Sequence, residues 1–241
     1  MNRIVKLAVA CAAATAIVGT ANAADIRPAP PVKAPPAFVA PLFTWTGFYI
    51  GANLGYGWGD GSGTIRHISV APVGATGPIS GDGDGILGGI QIGYNWQTGP
   101  LVIGFETDFQ ATGAEGSFTG RAGPVLYRGT TETPWFGTIR GRVGYAADRW
   151  LFYFTGGGYY AENKATGIAS RPGAVAAFST TENGWGWTVG GGVEWAFAPN
   201  WSTKAEYLFL ATPDSVPTRP GTRLDGNTDT HVFRLGVNYR F

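Results

Sequence analysis

From Trp45 to Phe241 the chain alternates apolar and polar positions with a period of two, the period of a strand with two unlike faces. The first run, about 46–58, sets Phe48, Ile50, Ala52, Leu54 and Tyr56 against Gly51, Asn53 and Gly55. The second, about 85–97, sets Ile90, Ile92, Tyr94 and Trp96 against Gln91, Gly93 and Asn95. The third, about 100–111, opposes Leu101, Ile103, Phe105 and Phe109 to Glu106, Asp108 and Gln110. The fourth, about 133–147, opposes Ile139, Val143 and Tyr145 to Thr138, Arg140 and Arg142. The fifth, about 149–162, is apolar on both faces and leaves its phase open. The sixth, about 184–197, sets Val189, Val193, Trp195 and Phe197 against Thr188 and Glu194. The seventh, about 200–211, sets Trp201, Ala205, Tyr207 and Phe209 against Ser202, Lys204 and Glu206. The eighth, about 230–241, sets Phe233, Leu235, Val237, Tyr239 and Phe241 against Arg234, Asn238 and Arg240.

A soluble β-sandwich has the same period, so the connections have to decide. They alternate long and short. The short ones are Gln97-Thr98-Gly99-Pro100, Ala147-Asp148 and Ala198-Pro199-Asn200; the long ones, about 59–84, 112–132, 163–183 and 212–229, are rich in Gly, Ser, Thr and Pro and are expected to be loops. That rhythm belongs to membrane barrels with tight periplasmic turns and longer extracellular loops. The expected fold is therefore an eight-stranded antiparallel transmembrane up-and-down β-barrel over residues 45–241. Its tryptophans fall at strand ends: Trp45, Trp96, Trp150, Trp195 and Trp201 at the short-turn end, and Trp58, Trp135, Trp185 and Trp187 at the other. Two such girdles suit an amphipathic indole at two membrane interfaces.

Composition supports this picture. Charged residues are 14% of the chain, below the roughly 25% of ordinary soluble domains, and no stretch after residue 24 has the long apolar run of a membrane helix. A formal net charge of +1 argues against a nucleic-acid partner. Residues 1–23 have the pattern of a signal peptide: Arg3 and Lys6, an apolar stretch from Leu7 to Gly19, then Ala21-Asn22-Ala23. The alternatives, an N-terminal anchor or a lipoprotein lipidated at Cys11, fit the short apolar stretch and the early position of that cysteine less well. Residues 24–44 carry Pro28, Pro30, Pro31, Pro35, Pro36 and Pro41 and are expected to be a proline-rich periplasmic linker.

The segment Trp45-Thr46-Gly47-Phe48-Tyr49-Ile50-Gly51 with Asn53-Leu54-Gly55-Tyr56-Gly57-Trp58, the segment Gly93-Tyr94-Asn95-Trp96 and the ending Arg234 to Phe241 carry a family resemblance. They resemble the 25/31-kilodalton outer-membrane immunogenic proteins of alphaproteobacteria. The resemblance implies a surface-exposed, OmpA-like small barrel without a peptidoglycan-binding domain, associated with envelope integrity in a Gram-negative outer membrane. It also implies haemin binding in some relatives and no common catalytic residues. The expected partners are outer-membrane lipid and lipopolysaccharide, the barrel assembly machinery and an extracellular ligand held by the long loops; no cofactor is expected.

The candidate chemistry is electrostatic. Glu106, Asp108, Glu194 and Glu206 share the polar faces with Arg140, Arg142, Lys204, Arg234 and Arg240. Counting back from the short turns places Gln91 opposite Glu106 and Glu194 opposite Lys204, with Arg140 and Arg142 within reach of Glu106 and Asp108. An eight-stranded barrel has an interior only wide enough for side chains, so these charges are expected to pair as a plug; a charge-lined narrow channel is the alternative. The stripe Phe233, Leu235, Val237, Tyr239 and Phe241 is expected to face lipid and to serve as the signal for assembly. His67, beside Ile68-Ser69, invites comparison with lipid-modifying barrel enzymes but is expected to be a solvated loop histidine. Asp82-Gly83-Asp84-Gly85 lacks the remaining acids of a calcium loop and is expected to be a polar loop end. The glycines of Gly85 to Gly89 and Gly190 to Gly192 precede no helix that could cradle a phosphate.

Overall fold

A computed structural model describes residues 43–67, 72–212, 216–219 and 222–241. Residues 1–23, expected to be a signal peptide, and all but Phe43 and Thr44 of the proline-rich segment lie outside them. The strands are β1 (Gly47–His67), β2 (Thr76–Thr98), β3 (Leu101–Ala122), β4 (Val125–Ala147), β5 (Trp150–Arg171), β6 (Ala174–Trp195), β7 (Trp201–Thr212), β8 (Val216–Arg219) and β9 (Thr222–Arg240). Each of β1 to β7 pairs antiparallel with the next, except that β7 pairs with β9, and β9 returns to pair with β1. The short β8 pairs with the start of β9. The ring therefore has eight strands and closes without a free edge, as a bilayer demands where no water can satisfy open backbone groups.

Its burial is inverted relative to a soluble sheet. Phe48, Ile50 and Leu54 of β1, Ile90 and Ile92 of β2 and Phe152 and Phe154 of β5 are exposed on the outside, whereas Gln91, Glu106, Arg140 and Arg234 are buried inside. The phase of β5, open in the sequence, is settled: Leu151, Tyr153 and Thr155 point inward. Trp150 stacks on Trp195 at 5.8 Å and Trp201 meets Tyr239 at 5.1 Å near the short turns. At the other level Trp135 lies between Phe109 (5.6 Å) and Tyr160 (5.9 Å), and Trp58 stacks on His231 at 5.7 Å. On β6 the ten residue steps from Trp185 to Trp195 rise about 34 Å along the strand, or about 25 Å along the barrel axis at a tilt near 40°, the height of the apolar band of a membrane barrel.

Four expectations need correcting. First, the long connections are not loops: β1 to β6 run 21 to 23 residues each and carry the wall of paired strands far past the outer girdle, where β1 still pairs with β9, β2 with β3 and β4 with β5. There the small residues Gly, Ser and Thr alternate with no apolar face, so the period is silent in hydropathy while backbone pairing continues. Asp82 to Gly85 accordingly sit within β2. A register shift near Pro134, which has no N–H to give to a ladder, interrupts the pairing of β4 with β3 and β5, and both pairings resume beyond it.

Second, the turn between β2 and β3 pairs Thr98 with Leu101, with Gly99 at φ +58° and Pro100 as the two central residues. Glycine at the first central position suits a two-residue hairpin turn. The register moves by two residues, so Gln91 faces Asp108 and Glu106 faces Gly93. Third, Trp45 is no girdle residue; it is fully buried and closes the short-turn mouth from within. Fourth, His67 is buried at the end of β1, its Nε2 2.6 Å from the Tyr127 hydroxyl. The outer hairpins have a small core of their own around it, where Tyr127 and Phe178 also meet.

Candidate functional site

Strand parity aims one charged residue after another into the lumen. Glu106 and Asp108 come from β3, Arg140 and Arg142 from β4, Glu194 from β6, Lys204 and Glu206 from β7 and Arg234 from β9. All eight are buried, four acids against four bases. Water would screen such charges, but here direct contacts replace it.

Arg140 is the hub. Its Nη2 donates to Glu106 Oε1 at 2.5 Å and Asp108 Oδ2 at 2.8 Å, and its Nη1 donates to Glu206 Oε1 at 3.2 Å. Arg234 donates through Nε to Glu206 Oε2 at 2.6 Å and through Nη2 to Asp108 Oδ2 at 2.9 Å. Lys204 stands in register with Glu194, as expected, yet its Nζ gives both short contacts, at 2.8 Å, to Glu106. Glu194 is instead taken by Arg142 Nη2 at 2.9 Å, with Ser202 and Asn238 also donating to it. Arg240 lies lower, over Phe43 (4.6 Å) and Trp45 (5.1 Å), and donates to the Pro199 carbonyl rather than joining the cluster.

Two tyrosines that the alternation did not single out complete the network. Tyr49 donates to Glu106 Oε2 at 2.8 Å and accepts from Arg142 Nη1 at 3.0 Å. Tyr153 donates to Glu206 at 2.9 Å, and the Arg142 guanidinium lies 3.9 Å from the centre of its ring. Both share the inward parity of charged neighbours across the sheet, which is the signal that could have found them. Tyr49 fits because Gly93, opposite it, has no side chain: a Cβ there would overlap the phenol.

Apolar layers cap the network at both ends. Toward the short turns Trp45 packs with Val102, Ala146, Leu151, Tyr153 and Ala196, with Phe43 against them. The Trp45 amide donates to Gln97 Oε1 at 2.7 Å. Toward the hairpins lie Leu87, Phe136, Tyr159, Ala161, Leu208, Leu210 and Val232. The ionic layer thus lies between two clusters of apolar side chains, with Arg240 beside the lower cluster and Gln110 and Thr188 beside the upper. Among the described residues no three His, Cys, Asp or Glu side chains are placed to hold a metal ion. The stripe Phe233, Leu235, Val237 and Phe241 faces outward beside Tyr239, and the Phe241 amide donates to the Phe48 carbonyl at 3.0 Å, joining the last strand to the first.

A family model for the outer membrane protein beta-barrel domain matches residues 10–241. The chain belongs to this outer-membrane β-barrel family. The 31 kDa outer-membrane immunogenic protein of Brucella melitensis biotype 1 is 36% identical over 251 residues, covering 100% of both chains. The 25 kDa outer-membrane immunogenic protein of the same organism is 29% identical over 242 residues, again covering 100% of both. The 22 kDa outer membrane protein of Rhizobium leguminosarum bv. viciae is 28% identical, over 84% of this chain and 81% of its own. Among solved structures, OprG from Pseudomonas aeruginosa covers 81% of this chain and 96% of its own at 12% identity and a TM-score of 0.46. As a member of the outer-membrane β-barrel family, the chain resides in a Gram-negative outer membrane, with the resemblance to the immunogenic proteins borne out over its full length.

Proposed function

We propose that this outer-membrane protein is a closed structural and surface-interaction barrel without catalytic activity. One observation carries the reading: four buried acids and four buried bases are bonded to one another across the lumen, between two apolar layers. A permeating ion would have to break these contacts and cross both apolar strata, and a buried pair broken on one side costs about 3–5 kcal/mol. The same seclusion speaks against catalysis, since each lumen carboxylate is already occupied by cations and faces no substrate. Envelope lipid and lipopolysaccharide are the natural partners of the apolar exterior and its girdles, and recognition falls to the outer hairpins. The outward stripe of β9 ending at Phe241 is the signal for the assembly machinery, so Phe241→Ser lowers the heat-modifiable outer-membrane form more than Arg240→Ser does.

Reconstitution in a planar bilayer tests the central claim. The purified protein should give no stable conductance steps above background. Large, regular steps from the unaltered protein would overturn the closed reading in favour of a narrow pore for small solutes.

A further inference from the structure

Among the described residues the charges outside the membrane are sorted by height, and the order repeats in the first three hairpins. At the base of the first hairpin stand Asp60, Asp82 and Asp84, and toward its tip Arg66. The second has Glu115 and Glu132 below and Arg121 and Arg128 above. The third has Glu162 and Glu182 below and Arg171 at its turn. Segments 61–81, 116–131, 165–181 and 216–224 contain no Asp or Glu at all. The sole base-level cation, Lys164, is paired with Glu162 at 3.4 Å, and Asp225 has a partner of its own. Asp214 lies outside the described residues.

Pairing register brings like charges together at the lower height. Asp229, Asp60 and Asp82 are consecutive cross-strand neighbours, as are Asp84, Glu115 and Glu132. Like charges directly opposite one another destabilise a sheet, so this arrangement does not serve the fold. Arg66, Arg121, Arg128 and Arg171 are exposed and make no ion pair among the described residues. Arg66 stands eight residues beyond Trp58, which is about 27 Å along the strand and about 20 Å above the girdle at a tilt near 40°. Anionic groups of the lipid surface at girdle level meet carboxylates; only an anion standing well clear of the membrane meets the arginines.

We propose that the hairpin tips form a basic crown that binds an acidic polysaccharide bearing sulfate, phosphate or carboxylate groups. Guanidinium forks match the oxygens of all three, and the first three hairpins, held on paired strands, present them at several points to an extended polymer. The carboxylate belt repels the same polymer from below, so it lies across the tips. This inference rests on the hairpins being the recognition surface and does not depend on whether the lumen conducts.

The test uses the whole barrel in detergent, with dextran sulfate, polygalacturonate and neutral dextran as probes. Both polyanions should bind, weakening as salt is raised, and neutral dextran should not. Each of Arg66→Gln, Arg128→Gln and Arg171→Gln should weaken binding about twofold to fivefold, and these three with Arg121→Gln together by more than about tenfold. Lys164→Gln should leave binding unchanged. Heat-modifiability of every variant checks that the barrel is intact. Smooth lipopolysaccharide compared with rough distinguishes the cell's own outer sugars from a foreign glycan as the source. No binding of either polyanion at low salt, or full binding by the folded fourfold variant, would overturn the proposal. Neither result would bear on conductance, which tests the closed barrel separately.

Discussion

Arg140 and Glu106 face each other in register on β4 and β3, joined by a 2.5 Å hydrogen bond from Nη2 to Oε1. The same guanidinium also serves Asp108 and Glu206. Arg140→Ala therefore leaves three buried carboxylates short of one cation and should lower stability by about 3–5 kcal/mol. A shift of the denaturant midpoint, followed by tryptophan emission in detergent, measures it. A change below about 1 kcal/mol would mean that water reaches the cluster.

Lys204 and Glu106 test the pairing itself. Lys204→Met takes from the Glu106 carboxylate the cation that gives it two 2.8 Å contacts and leaves the lumen with one unbalanced negative charge. Adding Glu106→Gln restores charge balance in the lumen, so the double variant should be more stable than Lys204→Met alone. If the two losses simply add, the ammonium and the carboxylate are not coupled.

Gly93 is expected to tolerate no side chain. Gly93→Val pushes the Tyr49 ring aside and should remove its bonds to Glu106 and Arg142, at a cost of about 1–3 kcal/mol. Tyr49→Phe keeps the ring and loses only those bonds. Comparing the heat-shift temperatures of the two separates packing from hydrogen bonding, and equal losses would assign the effect to the bonds alone.

Trypsin distinguishes the two ends of the barrel. Arg121 lies beside the outer turn at Gly123, and Arg149 beside the short turn after β4. With short turns in the periplasm, intact cells should be cut after Arg121 and spared after Arg149. Cuts confined to Arg149 would invert the topology.

Much of this was legible in parity. The inward positions of Glu106, Asp108, Arg140, Arg142 and Arg234 follow from the apolar residues one step away, because lipid leaves an alternating sequence no other phase. Register was harder: the two-residue error at Gln91 came from where Gly99 sets the turn, and hydropathy does not record that. The hairpin extensions were hidden because outside the membrane neither face needs to be apolar, while the ladder's backbone bonds carry no sequence signature. Leu208, Leu210 and Val232 were readable from the parity of Glu206 and Arg234, but their apolar character masked an interior role. Trp45 lay beyond reach, since its burial depends on Phe43 and Arg240 meeting across the closed ring.

The lumen bonds draw on every strand of the ring: Tyr49 from β1, Gln91 from β2, Tyr153 from β5 and Asn238 from β9 join the charged residues of β3, β4, β6, β7 and β9. No subset of strands can satisfy them. An unclosed sheet lacking β9 would hold four acids against three bases and would turn that imbalance toward whatever medium bathed its concave side. Such a sheet is admissible only while that side stays wet, so seating of the last strand and drying of the interior become one event. The network thus acts as a latch, and the barrel should enter and leave the membrane-inserted state as a single unit, without a stable half-zipped form.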